Sequence, residues 1–173
     1  MVSNWTAENI PDLTGKIAIV TGANSGIGYE MARALARKKT TVILACRNKD
    51  KGEAAVRQIA QEYPKAKAGL VQLDLCDLAS IRRFVDEFAS HHDRLDILIN
   101  NAGIMKTPFG KTVDGFELQF GTNHLGHFAL TGLLLDRIIH IPQARVVSVS
   151  SGGHRFGKID FSNLNGEKDV SSQ

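Results

Sequence analysis

Long apolar runs, tandem repeats and charge of a single sign are all missing from this sequence. No apolar run is long enough to cross a membrane, and residues 1–12 lack the apolar core of a signal peptide, so we expect a cytoplasmic protein without a membrane span. The 21 Lys and Arg against 18 Asp and Glu leave a net charge of +3, which is too mild to predict a nucleic-acid partner. With 43% hydrophobic and 23% charged residues, the composition is that of a globular domain.

Cysteine is also scarce. Cys46 and Cys76 each lie near the end of a predicted strand. Isolated cysteines in such a composition are most simply buried, reduced thiols. A disulfide between them requires neighbouring strands of suitable geometry, so we expect none.

Glycine, in contrast, is concentrated in a turn that follows the first predicted strand. Residues 16–20 are a short apolar, β-branched run that predicts a buried strand, and residues 29–37 are rich in Ala, Leu and Arg and predict a helix. A strand, a glycine-rich turn and a helix in this order form the phosphate-binding corner of a dinucleotide fold, although a plain helix-entry loop without a ligand is the alternative. The predicted cofactor-binding residues in this turn are Thr21, Gly22, Asn24, Ser25, Gly26, Ile27 and Gly28.

Strand and helix patterns alternate along the rest of the chain. Further strands are predicted at residues 41–46, 69–74, 95–100 and 145–150, and further helices at 50–63, after Asp77 or Ser80, and at about 113–139. Right-handed βαβ units then give an α/β, three-layer Rossmann fold with a parallel sheet of about five strands in the order 3-2-1-4-5. We expect a single domain over residues 1–173, with a lead-in at 1–13 and an irregular tail at 152–173.

The end of the second strand indicates which dinucleotide is bound. A carboxylate there would bind the ribose hydroxyls of NAD, whereas this chain has Arg47, followed by Asn48. A guanidinium can pair with a 2′-phosphate through two parallel hydrogen bonds and stack on adenine. A surface arginine is the alternative, but beside the glycine turn we expect NADP, with NAD less favoured, and Asn48 as a further contact.

Two later loops add polar groups at the same edge of the sheet. The fourth strand runs into Asn100-Asn101-Ala102-Gly103, in which Asn side chains can hold a loop and the small residues leave room for a ribose; a simple β-turn is the alternative. The fifth strand leads to Ser151, which lacks the Gly-x-Ser-x-Gly frame of a hydrolase nucleophile.

Asn123 lies in the middle of a predicted helix, where Asn disfavours helix formation, and this cost indicates a function. His124 and His127 lie one turn apart, but no third ligand has suitable spacing, so we predict ordinary helix-face histidines and no metal.

Taken together, these motifs resemble the short-chain dehydrogenase/reductase family over almost the whole chain. Residues 45–48, 123–128 and 157–161 are most similar to its retinol dehydrogenase and WW-domain oxidoreductase branch. The resemblance implies hydride transfer between NADP(H) and an alcohol or carbonyl substrate, and the branch implies a lipophilic one. It also implies that Asp74 and Leu75 contact adenine, unless Asp74 caps the next helix, and that Asn101, Ala102 and Gly103 line the cofactor. Asn123 is then expected to hold a water in a proton relay and Ser151 to bind the substrate oxygen, as the catalytic residues.

The chain departs from the family at one essential motif. The family uses a tyrosine as acid/base with a lysine four residues later, and no tyrosine follows Ser151. Tyr63 and Lys67 have this spacing, but they precede the third strand and Pro64 breaks the helix between them. We expect the front part of a longer enzyme, with the C-terminal part of the family fold missing and without turnover by itself. The alternative is a non-catalytic dinucleotide- or partner-binding module, and an uncovered sheet edge makes a homo-oligomer possible.

Overall fold

A parallel sheet of five strands forms the centre of the computed structural model, which describes residues 5–167. The strand order is β3-β2-β1-β4-β5, and every neighbouring pair is parallel. This confirms the predicted Rossmann-type fold and its topology. The strands are β1 (Ile17–Thr21), β2 (Thr41–Cys46), β3 (Lys67–Gln72), β4 (Ile97–Asn100) and β5 (Arg145–Ser148).

Helices cover both faces of the sheet because its central strands are apolar on both sides. The helices are α1 (Gly26–Arg37), α2 (Lys49–Glu62), α3 (Leu78–His91), α4 (Leu118–Phe120) and α5 (Gly126–Leu134), with a π-helical segment, Gly121–Leu125, between the last two. One face of the sheet packs with α1 and α2 through a cluster that includes Val20, Val42, Leu44, Leu35 and Ile59. The other face packs with α3 and α5 through Ile19, Leu98, Phe84, Phe88, Leu130 and Leu134. Within residues 5–167, every helix is too short or too polar to cross a bilayer.

The third strand begins and ends two residues earlier than the sequence predicts. Lys67 already pairs with Thr41, so the ladder starts there. The backbone amide of Asp74 donates to Ser80 Oγ at 3.0 Å, which turns the chain toward α3 instead of along the sheet. Asp74 therefore follows β3 rather than ending it, and Asp77 is the residue that caps α3, accepting from the Ala79 amide.

The predicted helix over 113–139 was wrong at its start and at its end. Gly115 has a φ of +87°, and the Thr112 amide donates to the Phe116 carbonyl at 2.8 Å, so this stretch is a turn. The helix begins only at Leu118, where the Glu117 carboxylate accepts from the amides of Gln119 and Phe120. It ends at Leu134 in a short 3₁₀ turn.

The amino ends of β1 and β4 are held together by one buried carboxylate. Asp96 accepts from the Ile17 amide at 3.0 Å and forms ion pairs with Lys16 at 2.9 Å and Arg94 at 2.5 Å. Burial opposes its charge, but the hydrogen bonds from Arg94 and Lys16 outweigh burial and hold the pKa of Asp96 below its ordinary value. The opposite ends of these two strands carry the candidate site.

The two ends of the described chain lie on the surface. The lead-in forms a 3₁₀ turn at Ala7–Asn9 and an ion pair between Asp12 and Lys39 at 2.5 Å. Residues 152–167 form a second 3₁₀ turn, Gly152–Arg155, followed by further turns, and Glu167 pairs with Lys111 at 2.7 Å. Residues 1–4 and 168–173, which belong to the predicted lead-in and tail, lie outside the described residues.

Candidate functional site

Two crevices lie above the carboxyl ends of the strands and meet at residues 101–104, here called the β4 loop. The first has a volume of about 420 Å³ and extends from the glycine turn to Arg47. The second, of about 770 Å³, lies between the β4 loop, the π segment and the residues after β5. Their shared wall makes the β4 loop the element on which both depend.

Glycines pack β1, α1 and the β4 loop closely together at the first crevice. A Cβ atom on Gly28 would lie 2.4 Å from Asn101 Nδ2 and 2.6 Å from the Gly22 carbonyl oxygen. Gly22 has a φ of +66°, and a Cβ there would lie 3.0 Å from Ala102. Gly26 has a φ of +56° and open space around it. The corner thus combines a sharp turn, an accessible backbone and close packing, as the glycine spacing predicts.

The first turn of α1 keeps its backbone amides available to a ligand. Ser25 precedes the helix, yet its side chain makes no capping hydrogen bond. Asn24 lies beside it, with Nδ2 3.5 Å from Ser25 Oγ, and the side chain of Ile27 is exposed. Uncapped amides and the positive end of the helix dipole suit an anion, so this corner fits a pyrophosphate.

Arg47 stands at the outer end of the first crevice. Its side chain is exposed and takes part in none of the ion pairs found among residues 5–167. Its carbonyl accepts from Gln72 Nε2 at 3.0 Å, which ties this turn to β3. Asn48 does not line the crevice; its side chain accepts from the Lys51 amide at 2.9 Å and caps α2. Arg47 is therefore the available cation of this rim.

The turn after β3 forms the floor of the first crevice. Asp74 and Leu75 line it, and Asp74 Oδ1 accepts from the Cys76 amide at 2.9 Å, so the carboxylate stabilises its own turn. Thr122 donates its hydroxyl to the Leu118 carbonyl at 2.6 Å and therefore accepts from the Cys76 thiol at 2.9 Å. Burial raises the pKa of Cys76. Both Cys46 and Cys76 are free thiols, and Cys46 is buried.

Thr21 and Asn123 hold the β4 loop from two sides. Thr21 is wholly buried behind the crevice wall, where its hydroxyl accepts from the amides of Asn101 and Ala102, both at 2.9 Å. Its carbonyl accepts from Asn101 Nδ2 at 2.8 Å. Asn123 pairs with Ile104 through both ends of its amide, at 2.8 Å each. Thr21, predicted to contact the cofactor, lines neither crevice and instead positions the loop.

Asn123 lies within the π segment of the helix. The amide of Gly126 donates to the carbonyl of Gly121, five residues earlier, so the chain widens locally. His124 is exposed and stacks on Phe120 with ring centroids 5.3 Å apart, as expected of a helix-face histidine. His127, in contrast, is buried against Thr21. Among residues 5–167, no cluster of three or more His, Cys, Asp or Glu side chains could hold a metal.

Ser151 faces the second crevice together with Asn123. Its hydroxyl oxygen accepts from the Gly153 amide at 3.2 Å, and the side chain is exposed. The His154 ring contacts the carbonyl of Ser151 and not its hydroxyl, which gives no support to a hydrolase arrangement. Tyr63 caps the C-terminal end of α2 and donates to Glu62 at 2.7 Å, and it lines neither crevice.

The family model for short chain dehydrogenases matches residues 16–163, which include the glycine corner, the β4 loop, Asn123 and Ser151. The chain belongs to the short chain dehydrogenase family. This confirms the resemblance drawn from the motifs. The family consists of oxidoreductases that bind NAD(P) and act on alcohols or carbonyls.

Retinol dehydrogenases are among the most similar curated relatives. Retinol dehydrogenase 11 of Mus musculus is 48% identical over 168 residues, which cover 97% of this chain and 53% of the relative. Retinol dehydrogenase 13 of Homo sapiens is 49% identical over 153 residues, covering 88% and 46% respectively. The chain thus spans about half the length of the curated relatives that it matches, and its branch is the predicted one.

Solved structures agree with the fold. An uncharacterised protein of Mycobacterium paratuberculosis superposes with a TM-score of 0.82 at 48% identity, covering 94% of this chain and 56% of the other. A short chain dehydrogenase of Shigella flexneri, complexed with NADP, superposes with a TM-score of 0.73 at 25% identity, covering 94% and 71%.

The structure gathers most of the predicted site residues of this chain at the two crevices. Sequence reasoning missed Ile104 and Thr122, which line the first crevice, and it predicted an ordinary helix-face histidine at His127, which is buried. Ile104 directly follows the Asn-Asn-Ala-Gly motif, and that position was the available signal. Thr122 and His127 reach the crevices through tertiary packing, for which the sequence offers no local signal.

Proposed function

We propose that this chain carries the NADP-binding part of an oxidoreductase that transfers hydride between NADP(H) and an alcohol or carbonyl substrate. The observation that carries the proposal is the exposed, unpaired Arg47 guanidinium at the rim of a glycine-cornered crevice. A carboxylate at this position would repel a 2′-phosphate, whereas a guanidinium binds it. Because Arg47 lacks a carboxylate partner in residues 5–167, its charge is free to serve a ligand.

The chain's own groups fit a dinucleotide laid along the strand ends. The open amides of α1 suit the pyrophosphate, and the small residues Ala102 and Gly103 leave space beside the β4 loop for a ribose. Leu75 supplies an apolar surface for adenine at the floor, and Asp74 shapes the turn that presents it. The cofactor, when bound, supplies the nicotinamide that gives or takes the hydride.

The second crevice suits a lipophilic substrate with one oxygen to be recognised. Apolar side chains of Met105, Phe128 and Val149 line it beside the polar groups of Asn123 and Ser151. The Ser151 hydroxyl is placed to hydrogen-bond a carbonyl or alcohol oxygen. Relatives named retinol dehydrogenases support a retinoid alcohol or aldehyde as the substrate class.

Replacing Arg47 with alanine tests the cofactor preference. We expect NADP+ to bind the wild-type chain more tightly than NAD+, and Arg47→Ala to weaken NADP+ binding about 10- to 100-fold, since a charge-assisted pair contributes roughly 1.5–3 kcal/mol. NAD+ binding should change less than about threefold, because NAD+ lacks the 2′-phosphate. Calorimetric titration with both nucleotides measures this.

The matched control is Arg57→Ala, which removes an exposed arginine from α2 outside the first crevice. Its affinity for NADP+ should equal that of the wild type. Equal losses for NADP+ and NAD+ in Arg47→Ala would contradict a role in phosphate recognition.

Chemistry is expected to be absent from the 173-residue chain even where binding is present. No tyrosine follows Ser151, so the chain offers no phenol at the second crevice to exchange a proton with the substrate oxygen. We expect no oxidation of NADPH by retinal above the rate measured without protein, while NADP+ still binds. Turnover by a homogeneous preparation, abolished in Ser151→Ala, would overturn this expectation.

A further inference from the structure

The hydroxyl of Thr21 has all its hydrogen-bonding capacity in use. A hydroxyl offers one donor and two acceptor positions, and the amides of Asn101 and Ala102 occupy both acceptor positions. Its proton must therefore be donated. His127 Nε2 lies 2.9 Å from Thr21 Oγ1, whereas the Ile99 carbonyl is 3.4 Å away, so the imidazole is the better acceptor.

The other ring nitrogen assigns the tautomer independently. His127 Nδ1 lies 2.9 Å from the carbonyl oxygen of Asn123, and a carbonyl only accepts, so Nδ1 carries the proton. Nε2 is then a bare acceptor, as the Thr21 hydroxyl requires. Both contacts select the same neutral form.

His127 thus connects the two groups that hold the β4 loop. On one side it orients Thr21, which binds the amides of Asn101 and Ala102, and on the other it binds the carbonyl of Asn123, whose side chain pairs with Ile104. We propose that His127 is a positioning residue that keeps the β4 loop in its cofactor-binding shape only as the neutral Nδ1–H tautomer. The inference rests on the proposed function in so far as the ligand of this loop is NADP(H).

A proton on Nε2 would break this arrangement. It would point at Thr21 Oγ1, whose acceptor positions are already filled, and the hydroxyl would have to rotate away from one of the loop amides. Burial lowers the pKa of His127, the bond to the Asn123 carbonyl opposes this, and His124 lowers it further. Among residues 5–167, His124 is the titratable side chain that contributes to this pKa, and the two hydrogen-bond partners of the ring, the Thr21 hydroxyl and the Asn123 carbonyl, are uncharged.

The pH dependence follows from this direction. Because the folded pKa lies below the ordinary histidine value of about 6.5, the neutral form, and with it the loop geometry, predominates at and above that pH. As the pH falls through the folded pKa, protonation of His127 is expected to release the loop and weaken NADP+ binding.

The test compares the affinity for NADP+ of the 173-residue wild type, His127→Leu and His127→Gln, at a temperature where circular dichroism shows each to be folded. Leucine keeps the bulk and removes both hydrogen bonds, and we expect a roughly tenfold weaker Kd. Glutamine can place an amide oxygen near the Thr21 hydroxyl and should recover much of this loss. Unchanged affinity in folded His127→Leu would overturn the proposal, because a residue that only fills space would lower the melting temperature alone.

The pH profile separates positioning from a general effect of histidine loss. As the pH is lowered from 7.5 to the lowest value at which circular dichroism shows both chains folded, the wild-type Kd should rise more than that of His127→Gln. Taking this difference cancels the titration of the 2′-phosphate itself, which occurs near pH 6. The control is His92→Gln at the end of α3, because burial lowers the pKa of His92 too but this residue lies outside both crevices. Its profile should match the wild type.

Hydrogen exchange of the Asn101 and Ala102 amides gives a readout that needs no cofactor. Faster exchange of these two amides in His127→Leu supports the positioning role, and unchanged exchange contradicts it, whether or not the wild type binds NADP+. A wild type that binds no nucleotide overturns the proposed function alone. If His127→Leu does not fold, the exchange of the same two amides is followed in the wild type and in His127→Gln as the pH falls. A loss of protection in the wild type that His127→Gln does not show supports the proposal, and equal protection in both chains contradicts it.

Discussion

Alanine at Gly28 is expected to weaken NADP+ binding at least about tenfold and to lower the free energy of unfolding by about 2 kcal/mol. The new Cβ would overlap Asn101 Nδ2 at 2.4 Å and the Gly22 carbonyl oxygen at 2.6 Å. The second of these atoms belongs to the backbone of the glycine turn, so α1 must move away from the corner or the turn must deform. Either movement displaces the open amides that we assign to the pyrophosphate.

Calorimetry and thermal unfolding of the same preparation measure both effects. Gly69→Ala is the control, because a Cβ there meets nothing within 4 Å and its backbone has no positive φ. It should bind NADP+ as the wild type does. A Gly28→Ala chain that keeps both its affinity for NADP+ and its melting temperature would contradict the close packing of Gly28 against Asn101 and the Gly22 carbonyl.

Two glycines of α5 are expected to respond to alanine with opposite signs. At Gly126, a Cβ would lie 2.5 Å from the Leu75 carbonyl oxygen and 3.0 Å from Leu75 Cβ. Overpacking against this backbone should cost about 2 kcal/mol or more, although alanine is the better helix former. At Gly132, six residues further along the same helix, a Cβ meets nothing within 4 Å, and alanine should add about 0.5–1 kcal/mol of stability.

Denaturant unfolding of the two variants checks this pair. The comparison is informative because both changes replace a glycine of α5 with alanine, while the space for a Cβ atom differs between the two positions. Since Leu75 lines the first crevice, Gly126→Ala should also weaken NADP+ binding, and Gly132→Ala should not. Stabilisation by both alanines would mean that α5 does not press on the turn after β3.

The sheet was predictable because each strand can be recognised from a short run of residues adjacent in the sequence. Apolar, β-branched runs marked the strands, and glycine or polar residues ended them, so β2 was predicted to the residue and the strand order followed from right-handed crossovers. The error at the end of β3 arose because a side chain accepts a hydrogen bond from a backbone amide that was predicted to belong to the strand. Ser80, in the first turn of α3, accepts from the Asp74 amide and shortens β3 at that end, an interaction that no apolar pattern records.

The region from Thr112 to Leu134 was harder to predict for the same reason. Apolar residues continue through it at helical spacing, yet the positive φ of Gly115 and the Glu117 cap delay the helix to Leu118. No pattern in the sequence predicted the π segment either. His127 matters through Thr21, which lies 106 positions earlier, and such a pair is visible only once β1 and α5 are packed together.

The most direct measurement of the central claim is a ¹H–¹⁵N NMR titration of the 173-residue chain with NADP+, with NAD+ as the comparison. We predict the largest shifts at the amides of Gly26, Ile27 and Gly28 and in the β4 loop, with shifts at Arg47 produced by NADP+ and much smaller with NAD+. Amides of the opposite sheet end, around Asp96, should stay unchanged. Shifts confined to other surfaces, or none at millimolar nucleotide, would contradict a dinucleotide site at the strand ends.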